Sequence, residues 1–304
     1  MYIEENKLPF VSTINLHKTL KIDLHSHTKF SDGHLTPEEL VLRAHTMQVD
    51  VLAITDHDTV AGLDEAHSVQ AKQKRPLTLI DGVEISTLWH GFDIHVVGLN
   101  VNRQCPEFLA RLDGQAQVRE ARAEKIAEKL EKCGFEGVLP RAKALAGVGQ
   151  VTRAHFARVL VNNYGVPTME AAFKKYLGKG KRAAVKAEWP SIETAITWIQ
   201  DAGGQAVLAH PAHYDMTAKW LRRLVALFEQ AGGDAIETAF PGINKTKQEL
   251  INELAQTHSL LASAGSDFHF PSRWTELGKN LGISSKLTPV WHNWTQFDAL
   301  GANS

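Results

Sequence analysis

The sequence predicts an α/β protein of about seven βα-type units around one sheet, interrupted once by an inserted, mainly helical lobe. Three observations predict it. Short apolar runs alternate with amphipathic segments of helical length. Nearly every apolar run ends in a histidine or a carboxylate. The alternation stops near residue 101 and resumes near residue 187. Chemistry collects at strand C-termini in parallel α/β folds, so the polar residues closing these runs are the candidate site.

At 304 residues with 43% apolar content, the chain can bury a sizeable core as one large or two smaller domains. Cys105 and Cys133 form no metal-ligand pattern and suit a reducing compartment. No apolar run approaches the roughly 18 residues of a membrane span, and the N-terminus lacks the basic and apolar regions of a signal peptide. A cytoplasmic location is therefore expected. Net charge is −1, but residues 101–186 carry 17 Lys and Arg against 8 Asp and Glu, leaving the remainder acidic. An acidic body joined to a basic lobe suits a polyanionic substrate.

In chain order, residues 1–20 show no period and are expected to form an extension. Ile22–Leu24 is the first strand. Thr36-Pro37-Glu38-Glu39 combines an N-cap, a proline at the first helical position and a glutamate three residues after the threonine, with Leu40, Val41 and Ala44 as the apolar face behind it. Val51–Thr55 is apolar throughout, as a strand covered on both faces is, and a helix follows to about Gln73. Leu77–Ile80 leads through Asp81-Gly82 into Val83–Ser86. A turn at His90-Gly91 makes Phe92–Leu99 the neighbouring strand. The barrel is expected over 21–100 and 187–304, with 101–186 as the lobe. Within the lobe, Val118–Leu130 is helical and stops at Cys133-Gly134. The rhythm resumes with a helix over Ser191–Ala202, a strand at Ala206–Ala209, a helix over Thr217–Gln230, a strand at Ala235–Glu237, a helix over Lys247–Thr257 and a strand at Leu260–Ser263. The last thirty residues, with Trp274, Trp291 and Trp294, are expected to close the bottom or side of the barrel.

Nine ligand-type side chains follow these strands: His25, His27, Asp32, His57, Glu84, His95, His210, Asp267 and His269. The i, i+2 spacing of His25 and His27 sends both imidazoles from one face of an extended strand end. Taken singly, each residue has an ordinary structural reading: His95 as a core histidine, Asp267 as a helix cap. Nine at successive strand ends are too many for one ion and about right for two or three. Convergence without cations would leave desolvated like charges facing one another.

His25-x-His27 with Asp32, Thr55-Asp56-His57-Asp58, Gly82-Val83-Glu84, Ile94-His95-Val96-Val97-Gly98, Ala209-His210-Pro211 and Gly265-Ser266-Asp267-Phe268-His269 together resemble the motif set of the PHP (polymerase and histidinol phosphatase) family. The resemblance runs from about residue 22 to 285. It implies a distorted (β/α)7 TIM-like barrel with a trinuclear metal centre, and divalent ions, usually Mn²⁺, with Fe²⁺ or Zn²⁺ also suited to mixed imidazole and carboxylate ligation. It also implies that His25, His27, Glu84 and Asp267 hold one ion, that Glu84 bridges to a second bound by His95 and His210, and that Asp32, His57 and His269 bind a third. Catalysis would then fall to His25, His27, Glu84, Asp267 and His210. Such a cluster activates a bridging water and needs no protein nucleophile. Asp56 is expected to orient the strand-two histidine or a metal water.

The insertion, with Val151-Thr152-Arg153-Ala154-His155-Phe156-Ala157-Arg158 and Phe173–Leu177, is similar to the PHP subgroup of 3′,5′-nucleotide bisphosphate phosphatases and 5′-to-3′ exoribonucleases. That likeness implies short 5′-phosphorylated RNA or a nucleoside 3′,5′-bisphosphate such as pAp as substrate. The sequence itself leads us to expect no membrane and no obligate protein partner. Arg153, His155 and Arg158, together with Arg119 and Arg122 three apart on one helix face, are candidate phosphate contacts. Lys179 and Lys181, in a Gly-x-Gly loop, are further candidates. Where the subgroup reads His-Pro-x-Arg-Tyr, this chain has His213, whose imidazolium would be the phosphate contact. Two other readings remain open: a phosphomonoesterase like histidinol-phosphate phosphatase, and a degenerate, non-catalytic PHP module.

Overall fold

A computed structural model of the chain describes residues 20–300; the extension expected over 1–20 lies, but for Leu20, outside them. Seven strands pair in sequence order: β1 (Ile22–Asp23), β2 (Val51–Ile54), β3 (Thr78–Trp89), β4 (Phe92–Leu99), β5 (Gln205–Leu208), β6 (Ala235–Ala239) and β7 (Leu261–Ala264). Leu24 N donates to Ala264 O (2.9 Å) and His27 N to Phe268 O (2.8 Å), so β1 meets β7 and the sheet closes.

The barrel departs from an all-parallel one at one strand. β4 runs antiparallel to both β3 and β5, while the remaining neighbours pair parallel. The turn at His90-Gly91 makes the first of these pairings unavoidable, since a hairpin returns where a parallel pair needs a crossover helix. β3 continues through Asp81-Gly82 as one strand of 12 residues.

Alternation along the strands separates two apolar layers. Val51 and Ala53 join Leu24, Ile80, Val97, Leu99, Val207, Ala209 and Ala235 inside the barrel. Leu52 and Ile54 face the helices α1 (Pro37–Thr46), α2 (Leu63–Gln70) and their successors. Trp294 and Phe297 pack against the inner layer, with Trp294 Nε1 donating to Gln205 Oε1 (2.5 Å). Trp291 packs against the same layer, but Trp274 is 73% exposed and closes nothing.

α3 (Pro106–Glu131) starts twelve residues before the helix expected at Val118. At 26 residues it spans about 39 Å. Its first half gives Phe108 and Leu112 to the core between barrel and helices. Its second half gives Ala123, Ile126, Ala127 and Leu130 to a separate core. There it meets α4 (Val138–Ala146), α5 (Arg153–Tyr164), α6 (Met169–Ala172) and a π-helical turn at Phe173–Leu177. The barrel helices resume as α7 (Ile192–Asp201), α8 (Ala218–Gln230) and α9 (Lys245–Thr257). Among the described residues no helix is long and apolar enough to cross a membrane.

Candidate metal centre

The nine candidate donors gather at one end of the barrel: most lie just past an apolar strand, Glu84 and His95 lie within the long hairpin, and Asp32 lies in the loop after β1. The backbone is forced into the left-handed region at two of them, His210 (φ 29°) and Asp267 (φ 50°), and at neighbouring Asp58 (φ 52°). Such backbone costs about 1–3 kcal/mol per residue and gathers at functional sites. Close approach is also built in. A Cβ on Gly265 would lie 2.2 Å from that of His25, so only glycine lets the chain leaving β7 pass this close to His25.

The donors form overlapping groups, each within 4.8 Å: His25, His27, Glu84 and Asp267; His27, Asp32, His57 and His269; and His57, Glu84 and His95. His210 joins the last, its Nε2 2.9 Å from Glu84 Oε1 and 3.3 Å from His95 Nδ1. His25 and His27 face each other Nε2 to Nε2 at 3.1 Å. His27 Nε2 lies 3.2 Å from both Glu84 Oε2 and Asp267 Oδ1, and His269 Nε2 lies 3.2 Å from Asp32 Oδ1.

These separations fit a metal shell. With metal–ligand bonds of about 2.0–2.2 Å, neighbouring donors around a tetrahedral or octahedral ion stand about 2.9–3.5 Å apart. Hydrogen bonding does not account for the same atoms. Asp32 Oδ1, His57 Nδ1, Glu84 Oε2 and His210 Nδ1 are buried without a hydrogen-bond partner, although His57 Nδ1 and Glu84 Oε2 stand 3.0 Å apart. A buried polar atom left unsatisfied costs about 1–3 kcal/mol, and a divalent cation removes that cost at several atoms together. The donor set therefore suits divalent metal ions.

Electrostatics agree. Desolvation pushes the Glu84, Asp32 and Asp267 carboxyls up, but the surrounding imidazoles more than reverse it and hold all three well below the carboxylate range. Burial opposes charge on His27, yet Asp267 and Glu84 raise it to about 10. His25, beside Glu237, Glu84 and Asp267, is raised well above its ordinary value against the same burial. Ionised carboxylates among proton-loaded imidazoles are a site where cations and protons compete.

Glu237 was not singled out by its sequence position. Fully buried in β6, it accepts from His25 Nδ1 at Oε1 (2.7 Å) and from the His210 backbone N at Oε2 (2.5 Å). It thereby fixes the His25 tautomer, leaving Nε2 to face the centre, and holds a second donor's backbone. A register shift in the β6–β7 ladder between Glu237 and Ala239 accompanies it. The signal in the sequence was a carboxylate inside the apolar run Ala235–Ala239.

Asp56 does not reach His57. It accepts from Thr28 N (2.7 Å), Thr28 Oγ1 (2.5 Å) and Ser31 Oγ (2.5 Å), so it pins the loop that carries Asp32. Asp58 is the residue that ties the lobe to the rim. Its carboxylate accepts from Ser86 N (2.9 Å), Gln115 Nε2 (3.1 Å) and Arg119 Nε (2.7 Å).

The candidate phosphate contacts are dispersed by comparison. Arg119, bound by Asp58 and Ser86 Oγ, stacks over Trp189. His155 is buried, and its Nδ1 accepts from Thr152 N (3.0 Å), closing a capping box at the start of α5. Burial, with Arg158 nearby, pushes its pKa down to about 4. Arg158 donates to Asp32 O (2.6 Å). His213 is exposed and stacks on the His210 ring at 5.6 Å.

Arg122 and Arg153 line a cleft of about 120 Å³ whose other wall includes Asp32, His57 and His95. Arg153 pairs with Asp93 (3.0 Å). Burial and then the Arg153 charge lower the Arg122 guanidinium to about 10, so positive charge is crowded beside the donors.

Residues 23–207 match the family model described as PHP domain. The chain is 50% identical over 273 residues to a 5′-3′ exoribonuclease of Haemophilus influenzae, covering 90% of this chain and 98% of that protein. It is 38% identical to a 3′,5′-nucleoside bisphosphate phosphatase of Chromobacterium violaceum, covering 91% and 96%. A solved structure of an amidohydrolase from Chromobacterium violaceum, with bound sulfate and no metal, matches with TM-score 0.84 at 37% identity over 92% of this chain and 96% of that one.

Proposed function

The chain belongs to the PHP domain family, and from that premise we propose that it is a metal-dependent phosphoesterase. It removes nucleotides from the 5′ end of short 5′-phosphorylated RNA and hydrolyses nucleoside 3′,5′-bisphosphates such as pAp. The observation that carries this reading is the joining of overlapping donor groups around buried Glu84 to a cleft walled by Arg122 and Arg153. A phosphate placed at the donors then has cations beside it for a second phosphate.

His25, His27, Glu84 and Asp267 would hold one ion, Glu84, His95 and His210 a second, and Asp32, His57 and His269 a third, with Mn²⁺ the ion proposed. Divalent cations there would activate a water and neutralise charge on the phosphoryl oxygens. The chain's own groups set the rest. Glu237 keeps His25 in one tautomer. Asp56 holds the loop bearing Asp32. Arg122 and Arg153 hold a substrate phosphate in the cleft. In both substrates water attacks phosphorus and the 3′ oxygen of the terminal nucleoside leaves; RNA so shortened carries a new 5′-phosphate.

The test strips the protein with chelator, restores Mn²⁺, and compares pAp, a 5′-phosphorylated oligoribonucleotide, its 5′-hydroxyl twin and histidinol phosphate. Hydrolysis of the first two, with the 5′-hydroxyl twin slower by an order of magnitude or more, is expected. Equal rates on the twins remove the second-phosphate contact, and turnover of histidinol phosphate alone overturns the assignment.

A further inference from the structure

Beyond the donor cleft lies a larger groove, between the β3–β4 hairpin and residues 177–187. It holds about 660 Å³ against about 120 Å³ for the cleft, and the two share Asp93, Arg122 and Arg153. A nucleoside bisphosphate that places one phosphate at the donors and another at the shared arginines leaves most of this groove unused.

The lining is charged in one sense. Lys179, Lys181 and Lys186 are exposed on the lobe wall and, among the described residues, form no ion pair. The single carboxylate, Asp93, is already held by Arg153 at 3.0 Å. On the hairpin wall Phe92 presents its ring, with Lys179 Nζ 4.8 Å from the centroid. Unneutralised cations along a groove concentrate a polyanion. Cations beside an aromatic face are the combination that holds single-stranded nucleic acid, phosphates on one wall and a base against the other.

We propose that this groove seats the RNA chain on the 3′ side of the scissile linkage. The inference rests on the proposed function, since nucleotides beyond that phosphate exist in RNA and not in a bisphosphate. It makes Phe92, Lys179, Lys181 and Lys186, which line the groove and not the cleft, determinants of substrate length, while Arg122 and Arg153 at the shared edge hold the terminal nucleotide.

The test compares the wild-type protein with the triple variant Lys179→Ala/Lys181→Ala/Lys186→Ala and with Lys179→Glu/Lys181→Glu, all at exposed positions. Kinetics on pAp, a 5′-phosphorylated dinucleotide and a 5′-phosphorylated pentanucleotide are read beside anisotropy of a 3′-labelled pentanucleotide in chelator. The structure puts Lys179 and Lys181, phosphate candidates by sequence, in the groove wall and not in the donor cleft, so the triple variant is expected to keep pAp kinetics within twofold. Its KM and Kd for the pentanucleotide rise about tenfold, and the slope of log Kd against log salt falls by about 0.7 for each phosphate that the lysines no longer neutralise. Equal losses on pAp and the pentanucleotide overturn the proposal by giving the groove to the terminal nucleotide; unchanged pentanucleotide binding overturns it outright. Failure of the wild-type protein to hydrolyse RNA overturns the function instead, and is read separately from the binding arm.

Discussion

The barrel rim and the helical lobe both carry the side chains expected to do chemistry, and they hold them by opposite means. At the rim, imidazoles and carboxylates from four strand ends and the β3–β4 hairpin face one another at 2.8–3.5 Å, with several buried atoms left without hydrogen bonds. In the lobe, cations are parcelled out. Arg119 is bound by Asp58, Arg158 by the Asp32 carbonyl, and His155 by its own helix cap. Arg122 and Arg153 join Arg119 in lining the cleft shared with the donors, and neither is bound to Asp58. Ligands for a cation must converge, and the cation then offsets their mutual desolvation. Binding groups for an anion need no such convergence, so the fold gives Arg119 and Arg158 to structure and sets Arg122, with Arg153 on Asp93, at the cleft wall.

Substitutions can break this contrast. Glu84→Gln, at the residue shared by two donor groups, is expected to lower kcat by about three powers of ten or more with circular dichroism unchanged, since several kcal/mol of charge stabilisation go with it. Wild-type turnover in that variant would remove Glu84 from the site. Asp58→Ala leaves the Arg119 guanidinium buried without its partner and should cost about 3–5 kcal/mol in denaturant unfolding. The double variant Asp58→Ala/Arg119→Met should recover part of that loss; no recovery would show that the pair is not what binds lobe to rim.

Smaller effects sharpen the same contrast. Glu237→Gln should weaken metal binding about 10- to 100-fold, measured by titrating activity with Mn²⁺, because the His25 tautomer is no longer fixed by a carboxylate. His155→Ala should cost only about 1–2 kcal/mol through removal of the cap and leave KM for pAp unaltered. Arg153→Ala should raise that KM. A reversed order would make His155 the phosphate contact.

Much of the rim was legible because a strand end is a local feature. His25, His27, His57, His210 and Asp267 each follow an apolar run, and the period of the strand shows which side chains share a face. Glu237 escaped because it lies inside its strand, where its burial and its two partners, His25 and His210, depend on neighbours far away in sequence. α3 was seen only from Val118 because its first half turns Phe108 and Leu112 toward the barrel, while the stripe from Ala123 onward serves another core. Two differently directed faces on one helix blur a single period.

By itself the sequence determined the order of the strands and the donor types that follow them, both set by short-range patterns of polarity and turn chemistry. Tertiary structure alone decided that β4 also runs against β5, that Asp58 holds Arg119, and that Arg122 and Arg153 meet at the donors. Those outcomes depend on which distant groups share a desolvated space, where pairing energies outweigh local preference.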